Sequence, residues 1–464
     1  MQFSEKMTRT ELRATVSLAS IYGLRMLGMF LILPIFAIYA EKLDGGSNHT
    51  LIGLALGAYG LMQVLLQLPF GMASDRFGRK RLIYAGLILF AVGSVIAALS
   101  HSIYGVILGR AIQGAGAISA VVTALVADST REEHRTKAMA MIGATIGLTF
   151  ALSLVAGPIL NQWIGVSGIF WMTGILSLLA ILVVKYAVPT PLHSGFHSDA
   201  QAAPSLMKDV LKDTQLLRLN FGTFCLHGAQ MAMFIVVPFA LKETSGMSEN
   251  LHWQVYLPVL TFSFLLMVPA IIYAEKKAKL KPVFIAAVGL MFAAQLIFAY
   301  NIHHFWGIVA SLVVYFVAFN ILEASLPSLI SKMAPAAAKG TAMGVHNTAQ
   351  SFGMFLGATV GGYLSHRFDY AAVFLFCAAL MMIWFLLAFG MKTPLSVKTK
   401  MYHIQGFDNA QASSLQQQVA ALTGVHEAVA IAKEHMLIVK LNNQLPEATQ
   451  AATEQTILKL IGSE

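Results

Sequence analysis

Twelve apolar stretches, most of them close to the ~20 residues an α-helix needs to cross a bilayer, constrain this chain more than any other feature. Hydrocarbon offers no water to backbone amides, so each stretch has to satisfy its own polar groups as a helix. The stretches fall near 14–40, 51–74, 82–100, 104–127, 139–160 and 167–188, then near 217–241, 253–274, 283–300, 305–331, 341–364 and 371–391. Only 11% of the 464 residues are charged, against about 25% in soluble proteins. The first stretch is too long for a signal-peptide core of roughly 7–15 residues and reads as a retained helix. An all-α polytopic membrane protein follows, with a six-helix bundle over 1–188, a linker over 189–216 and a second bundle over 217–392.

The net charge of +9 raises the question of a nucleic-acid partner. The bases lie between apolar spans instead of on one face, so they report topology and attraction to the lipid bilayer, and no nucleic acid is expected. Counted by loop, 23 Lys and Arg fall on one side, against Lys42, Lys242 and Arg367 on the other. By the positive-inside rule both termini and the linker are expected in the cytoplasm. Cys225 and Cys377 both fall within apolar spans, so no disulfide framework is expected.

The two groups of spans repeat each other. Pro69 and Asp75 correspond to Pro269 and Glu275, Tyr104-Gly105 to Trp306-Gly307, and Ala138-Met139 to Ala342-Met343. Beyond Lys400 the pattern changes to a strand (400–407), helix (410–422), two strands (425–432 and 436–441) and a helix (447–461). That order predicts a small α+β ferredoxin-like C-terminal domain over 393–464. It resembles heavy-metal-associated domains in topology but has no cysteine, so neither a metal nor a cofactor is expected.

The gap from Gly71 to Arg81 holds one acid, four bases and two glycines. A basic gap serves as a topology anchor; this one has more internal order. Gly71 is expected to permit close helix approach and Gly78 a tight reversal. Asp75 sits at a helix end, placed to bond the N-terminus of a facing helix. Arg76 and Arg79 are expected to pair with Asp128, and Lys80 completes the basic run. The second copy, Glu275 to Lys281, keeps the acid and bases but neither glycine.

The pattern G-x-x-x-D-R-x-G-R-K resembles motif A of the major facilitator superfamily. Ile107 to Gly116 resembles its fourth-helix motif B, and Leu27-Gly28 with Pro34 a first-helix pattern of twelve-helix drug/proton antiporters. Ala156-Gly157-Pro158 resembles the core of the antiporter motif C, with Ser153 and Asn161-Gln162 standing where glycines are usual. The resemblance implies the two-bundle fold of that superfamily, proton coupling at Arg110, and antiport through Gly157 and Pro158; the charge cluster around Asp75 is itself expected to latch the halves in the outward-facing state.

Arg25, Arg110 and Glu323 are the formally charged side chains placed deep in the spans, so each should face protein or water. Glu323 is either a proton carrier or a structural partner for Arg25 or backbone groups. His227 is either a second protonation site or a packing residue. Gln63, Gln67, Gln113, Gln230, Asn320, Asn347 and Gln350 are candidates to line a substrate cavity, or to tie helices together. Gly143, Gly147, Gly353, Gly357, Gly361 and Gly362 read as helix-packing positions. No P-loop occurs, and no nucleophile–base or metal-spacing set argues for an enzyme. The leading expectation is a monomeric secondary transporter exporting small amphiphilic molecules against protons. The alternative is a membrane sensor or scaffold whose tail reads a cytosolic ligand or partner.

Overall fold

The computed structural model describes residues 7–190, 201–277, 279–335, 338–393, 397–404, 407–432, 435–442 and 445–462. Lys6 of the basic N-terminal tail, the linker part 191–200, and Ala278 of the second motif A copy lie outside the described residues.

The first half contains α1 (Arg9–Phe30), α2 (Phe36–Glu41), α3 (His49–Phe77), α4 (Arg79–Leu99), α5 (Ile103–Ala115), α6 (Ser119–Asp128) and α7 (Glu132–Tyr186). After the short linker helix α8 (Pro204–Lys212) come α9 (Thr214–Ser245), α10 (Trp253–Lys276), α11 (Leu280–Asn301), α12 (Phe305–Met333), α13 (Lys339–Arg367) and α14 (Tyr370–Phe389). Among the described residues nine helical segments are long and apolar enough to span a membrane. A second crossing within α7, the broken pair α1–α2 and the more polar α13 account for the rest of the expected twelve.

Four expected spans differ locally from plain helices. Pro34 has no N–H to return to Phe30, so the first span breaks into a turn over 31–35, closed by bonds such as Phe36 N–H to Ile32 O at 2.7 Å. The fourth span breaks at Gly116, where a Cβ would lie 2.3 Å from the Gly86 carbonyl oxygen. The fifth and sixth run together in α7 and reverse at Gly165, whose φ of 66° suits a residue without a side chain. Pro69, Pro158, Pro238, Pro258, Pro269 and Pro327 all sit inside helices, where neighbouring groups re-satisfy the freed carbonyls.

Within the first half α7 packs on α1 and α4, and α5 on α3 and α4; within the second, α9 packs on α13 and α14, and α12 on α10 and α11. The halves meet mainly through α3 against α13, with α7 against α10 and α2 against α9. This contact is concentrated at the face away from the chain termini. There a Cβ on Gly53 would stand 2.1 Å from the Ala358 oxygen, and one on Gly362 2.3 Å from the His49 oxygen. Gly353, Gly357 and Gly361 likewise pack against α9, but Gly143 and Gly147 have open space where a Cβ would go. Those two are not helix-packing positions here.

The tail forms β1 (Val397–His403), α15 (Asn409–Ala420), β2 (Val425–Ile431), β3 (Met436–Asn442) and α16 (Glu447–Gly462). The sheet is antiparallel with order β1-β3-β2. One sheet face buries Leu437, Val439 and Leu441 against Leu415, Val419 and Ile457 of the helices. Met401, Met436 and Ile438 form a separate buried cluster, and its Met436 sulfur lies 3.8 Å from Arg135 of α7. Lys440 Nζ donates to the Ala334 carbonyl, just past α12, at 2.6 Å and pairs with Glu427 at 2.7 Å. The domain therefore touches both halves on the terminal face.

Candidate functional site: charged groups inside and at the ends of the bundle

At the end of α3, Gly78 takes φ 94° and hands the chain directly to α4. Arg79, 4% exposed, is thereby turned inward. Its Nε donates to Asp128 Oδ2 at 3.1 Å and its Nη1 to Ser74 Oγ at 2.6 Å and to Asp75. Asp128 is fully buried, so the pair ties α4 to the end of α6. Lys80 Nζ donates to the Val188 carbonyl at 2.7 Å. Arg76 does not join this group; its guanidinium stands 5.6 Å from the Phe77 ring. Asp75 is 48% exposed and bonds Arg79 instead of a facing helix, because the halves here are sealed at the opposite face. Gly71 meets Ala120 at an ordinary 3.5 Å, so close approach is not what that position requires. Nearby, Glu11 accepts from the Arg131 backbone and guanidinium at 2.9 and 3.0 Å. Burial alone would raise the Glu11 pKa, but these bonds and those from Thr8 hold it at about 2.

Two buried arginines approach one aromatic ring deeper in the first half. Arg25 of α1 and Arg110 of α5 place Cζ 5.7 and 4.9 Å from the centroid of Tyr59 on α3. Arg25 Nη1 donates to Ser119 Oγ at 2.6 Å; Arg110 Nη1 donates to Gln113 Oε1 at 2.9 Å, and Gln113 Nε2 to Ser94 Oγ at 2.7 Å. Gln63 donates to the Gly114 carbonyl. Gln63 and Gln113 are thus spent on packing, and Gln67 and Gln230 are buried as well. Arg25 does not meet Glu323.

The deep carboxylate sits in the second half. Glu323 Oε2 of α12 lies 3.2 Å from His227 Nε2 of α9, and Gln350 Nε2 of α13 lies 2.8 Å from the same nitrogen. His227 Nδ1 donates to the Thr223 carbonyl at 3.0 Å. A neutral His227 therefore has a bare Nε2, which accepts from the Gln350 amide; a charged one donates to Glu323. Thr223 Oγ1 also contacts His346 Nδ1 at 3.0 Å. Thr223 and His346 escaped the sequence reading, although each lies four residues before a selected residue, His227 or Gln350, on the same helix face. The His227 side chain is buried, while 37% of the Glu323 side chain is open. Asn320 donates to Ser263 on α10 at 3.0 Å and Asn347 is half-buried on α13. Phe150 of α7 reaches across to Phe316 and Phe319 of α12 at 6.3 and 5.7 Å, and Phe319 stands edge-on to His227 at 6.2 Å.

Polar bonds close the far face. Lys42 meets Glu249 at 3.0 Å, Asn161 donates to Asn250 at 2.6 Å, and His49 bonds Ser365 at 3.0 Å while stacking on Phe239. Each of these contacts joins one half to the other. Gly157 brings α7 against the broken first span, where a Cβ would lie 2.2 Å from the Leu31 oxygen; Pro158 follows within the helix.

A family model described as Major Facilitator Superfamily matches residues 18–358 and 277–403. The inner membrane transport protein YajR of Escherichia coli K12 is 44% identical over 440 residues, covering 95% of this chain and 96% of its own. The multidrug resistance protein MdtH of Aeromonas hydrophila is 26% identical, over 75% of this chain and 85% of its own. Among solved structures, a bacterial homologue of the human lysosomal transporter Spinster superposes with a TM-score of 0.65 at 14% identity, over 82% of this chain and 97% of its own. Sequence and fold agree: the chain is a multi-pass transporter, not an enzyme, and belongs to the major facilitator superfamily.

Proposed function

We propose that this protein exports a small amphiphilic solute in exchange for protons by alternating access. The observation that carries the reading is the Glu323–His227–Gln350 group, a titratable pair inside the membrane with one open side. Protonation of His227 exchanges the Gln350 amide for the Glu323 carboxylate as its partner. That exchange gives the proton a differential interaction with two states, which coupling requires. Arg110 and Arg25 act from the other half as fixed positive charge.

With the terminal face taken as cytoplasmic, the described conformation is inward-facing, closed at the far face through α3 and α13. Gly71, Asp75, Arg76, Gly78, Arg79, Lys80 and Asp128 then form a latch in its released form. Asp75 reaches the N-terminus of α13 when the terminal ends come together. Gly157 and Pro158 fit the far-face end of the same motion, and MdtH supports the drug-export reading at a distance. The transporter works as a monomer in the bilayer.

Reconstituted protein, assayed with a compound panel and an imposed pH gradient, tests this. Glu323→Gln and His227→Gln are expected to abolish gradient-driven accumulation while sparing solute exchange at equal pH. Gradient-driven accumulation at the wild-type level in both variants refutes the scheme. A second reading, regulation by the tail, is favoured by its simultaneous contacts with Arg135 and Ala334.

A further inference from the structure

The guanidiniums of Arg25 and Arg110 are 2% and 0% exposed, and neither has a carboxylate bonded to it among the described residues. Each spends a single nitrogen, Nη1, on a neutral side-chain oxygen. Among the described residues, Nε and Nη2 of both arginines, and the hydroxyl of the Tyr59 ring they share, are buried without a hydrogen-bond partner. Buried N–H groups left unpaired are costly, and more so when they carry charge. Two full positive charges share this part of the first half, and the first half has no acid along its spans. Of its carboxylates, Glu11, Asp75 and Asp128 are at the terminal face and already bonded; Glu132 and Glu133 open α7 at that face, and Glu41 and Asp44 lie at the opposite end. The one deep carboxylate, Glu323, is on the other half and faces His227.

We infer that Arg25, Tyr59 and Arg110 form an anion-binding site, and that its occupant is the anionic group of the transported solute. A carboxylate, sulfonate or phosphate oxygen accepts from guanidinium N–H groups in paired geometry and from a phenol O–H besides. Both guanidiniums lie against the same Tyr59 ring, 5.7 and 4.9 Å from its centroid, so the two cations belong to one locus. The inference rests on the transport reading and adds the substrate class: amphiphilic anions, in place of the neutral or cationic amphiphiles an apolar cavity would take. The site is covered in the described conformation, so binding accompanies its opening.

Calorimetric titration of the purified full-length protein with three matched probes tests the assignment. They are 2-naphthalenesulfonate, which stays ionised at all working pH values, neutral 2-naphthalenesulfonamide, and a naphthylmethyl-trimethylammonium cation. The sulfonate is expected to bind at least tenfold more tightly than the other two. Arg25→Gln and Arg110→Gln should each weaken sulfonate binding tenfold or more and leave the sulfonamide unchanged; Tyr59→Phe, which removes only the hydroxyl, should weaken it severalfold. Equal binding of the three probes by the wild-type protein overturns the site without any variant having to fold. So does sulfonate affinity that survives both arginine substitutions. Chloride is the inorganic arm. Chloride competing with the sulfonate supports a shared site, whereas chloride binding with no sulfonate binding overturns the assignment to solute. Counterflow in proteoliposomes separates the two readings. Sulfonate binding without counterflow of any probe leaves the site and removes the transport reading. Proton-driven movement of the cation without sulfonate binding does the reverse.

Discussion

Replacing Gly53 by Ala should open the far face of the transporter. The added Cβ would stand 2.1 Å from the Ala358 oxygen and 3.2 Å from the Gly362 Cα. A carbon–oxygen contact settles at about 3.3 Å or more, so α3 and α13 must separate by about 1 Å. Backbone, not a pliable side chain, stands in the way. Overfilling a packed contact costs about 1–3 kcal/mol, all of it charged to the closed state, because the open state has no such contact. The open population should rise by roughly 5- to 150-fold. A reporter thiol at Ala37→Cys reads this, since Ala37 is fully buried on α2, which packs on α9 of the other half. Labelling by a membrane-impermeant maleimide scales with the open fraction, and native Cys225 and Cys377 are buried. Gly143→Ala, with nothing within 4 Å, is the control. Unchanged labelling in Gly53→Ala, or an equal rise in Gly143→Ala, refutes the argument that backbone contact sets the seal.

Arg79→Gln should lower stability by about 2–3 kcal/mol, because it strips the fully buried Asp128 of a charged partner; chemical unfolding in detergent reads the loss, and wild-type stability counts against the buried pair. Lys440→Met removes the bonds to Ala334 and Glu427. Limited proteolysis between the last membrane helix and the tail should accelerate severalfold, and an unaltered digest would show that the tail is held by other contacts.

The spans were legible in the sequence because bilayer thickness and amide satisfaction leave an apolar run little choice but a helix. The breaks were not. Pro34 interrupts its helix while Pro69, Pro158 and Pro238 do not, and the difference lies in which neighbours re-satisfy the carbonyls, a property of packing. Gly116 breaks because Gly86 arrives at its Cα face from another helix. Arg79 with Asp128 was readable from opposite charges at two helix ends. The exposed Asp75 was not, since its partner depends on which face of the molecule is closed. Glu323 and His227 each stood out as ionisable groups in apolar spans, but local spacing said nothing of their contact. The Tyr59 ring shared by Arg25 and Arg110 went unremarked for the same reason: a tyrosine in an apolar run looks like filler until two other helices bring cations to it.

The two buried arginines have one more consequence, and it concerns voltage. A charge carried across a membrane potential exchanges about 2.3 kcal/mol per 100 mV. Arg25 and Arg110 are fixed to helices of the first half, so rocking that half moves both along the field. A shift through one tenth of the membrane would amount to about 0.5 kcal/mol at 100 mV for the pair, roughly a twofold bias between the two faces. An energised cell would thus bias the resting orientation of the transporter electrically by about twofold before any solute or proton binds, with the arginines serving as its gating charge.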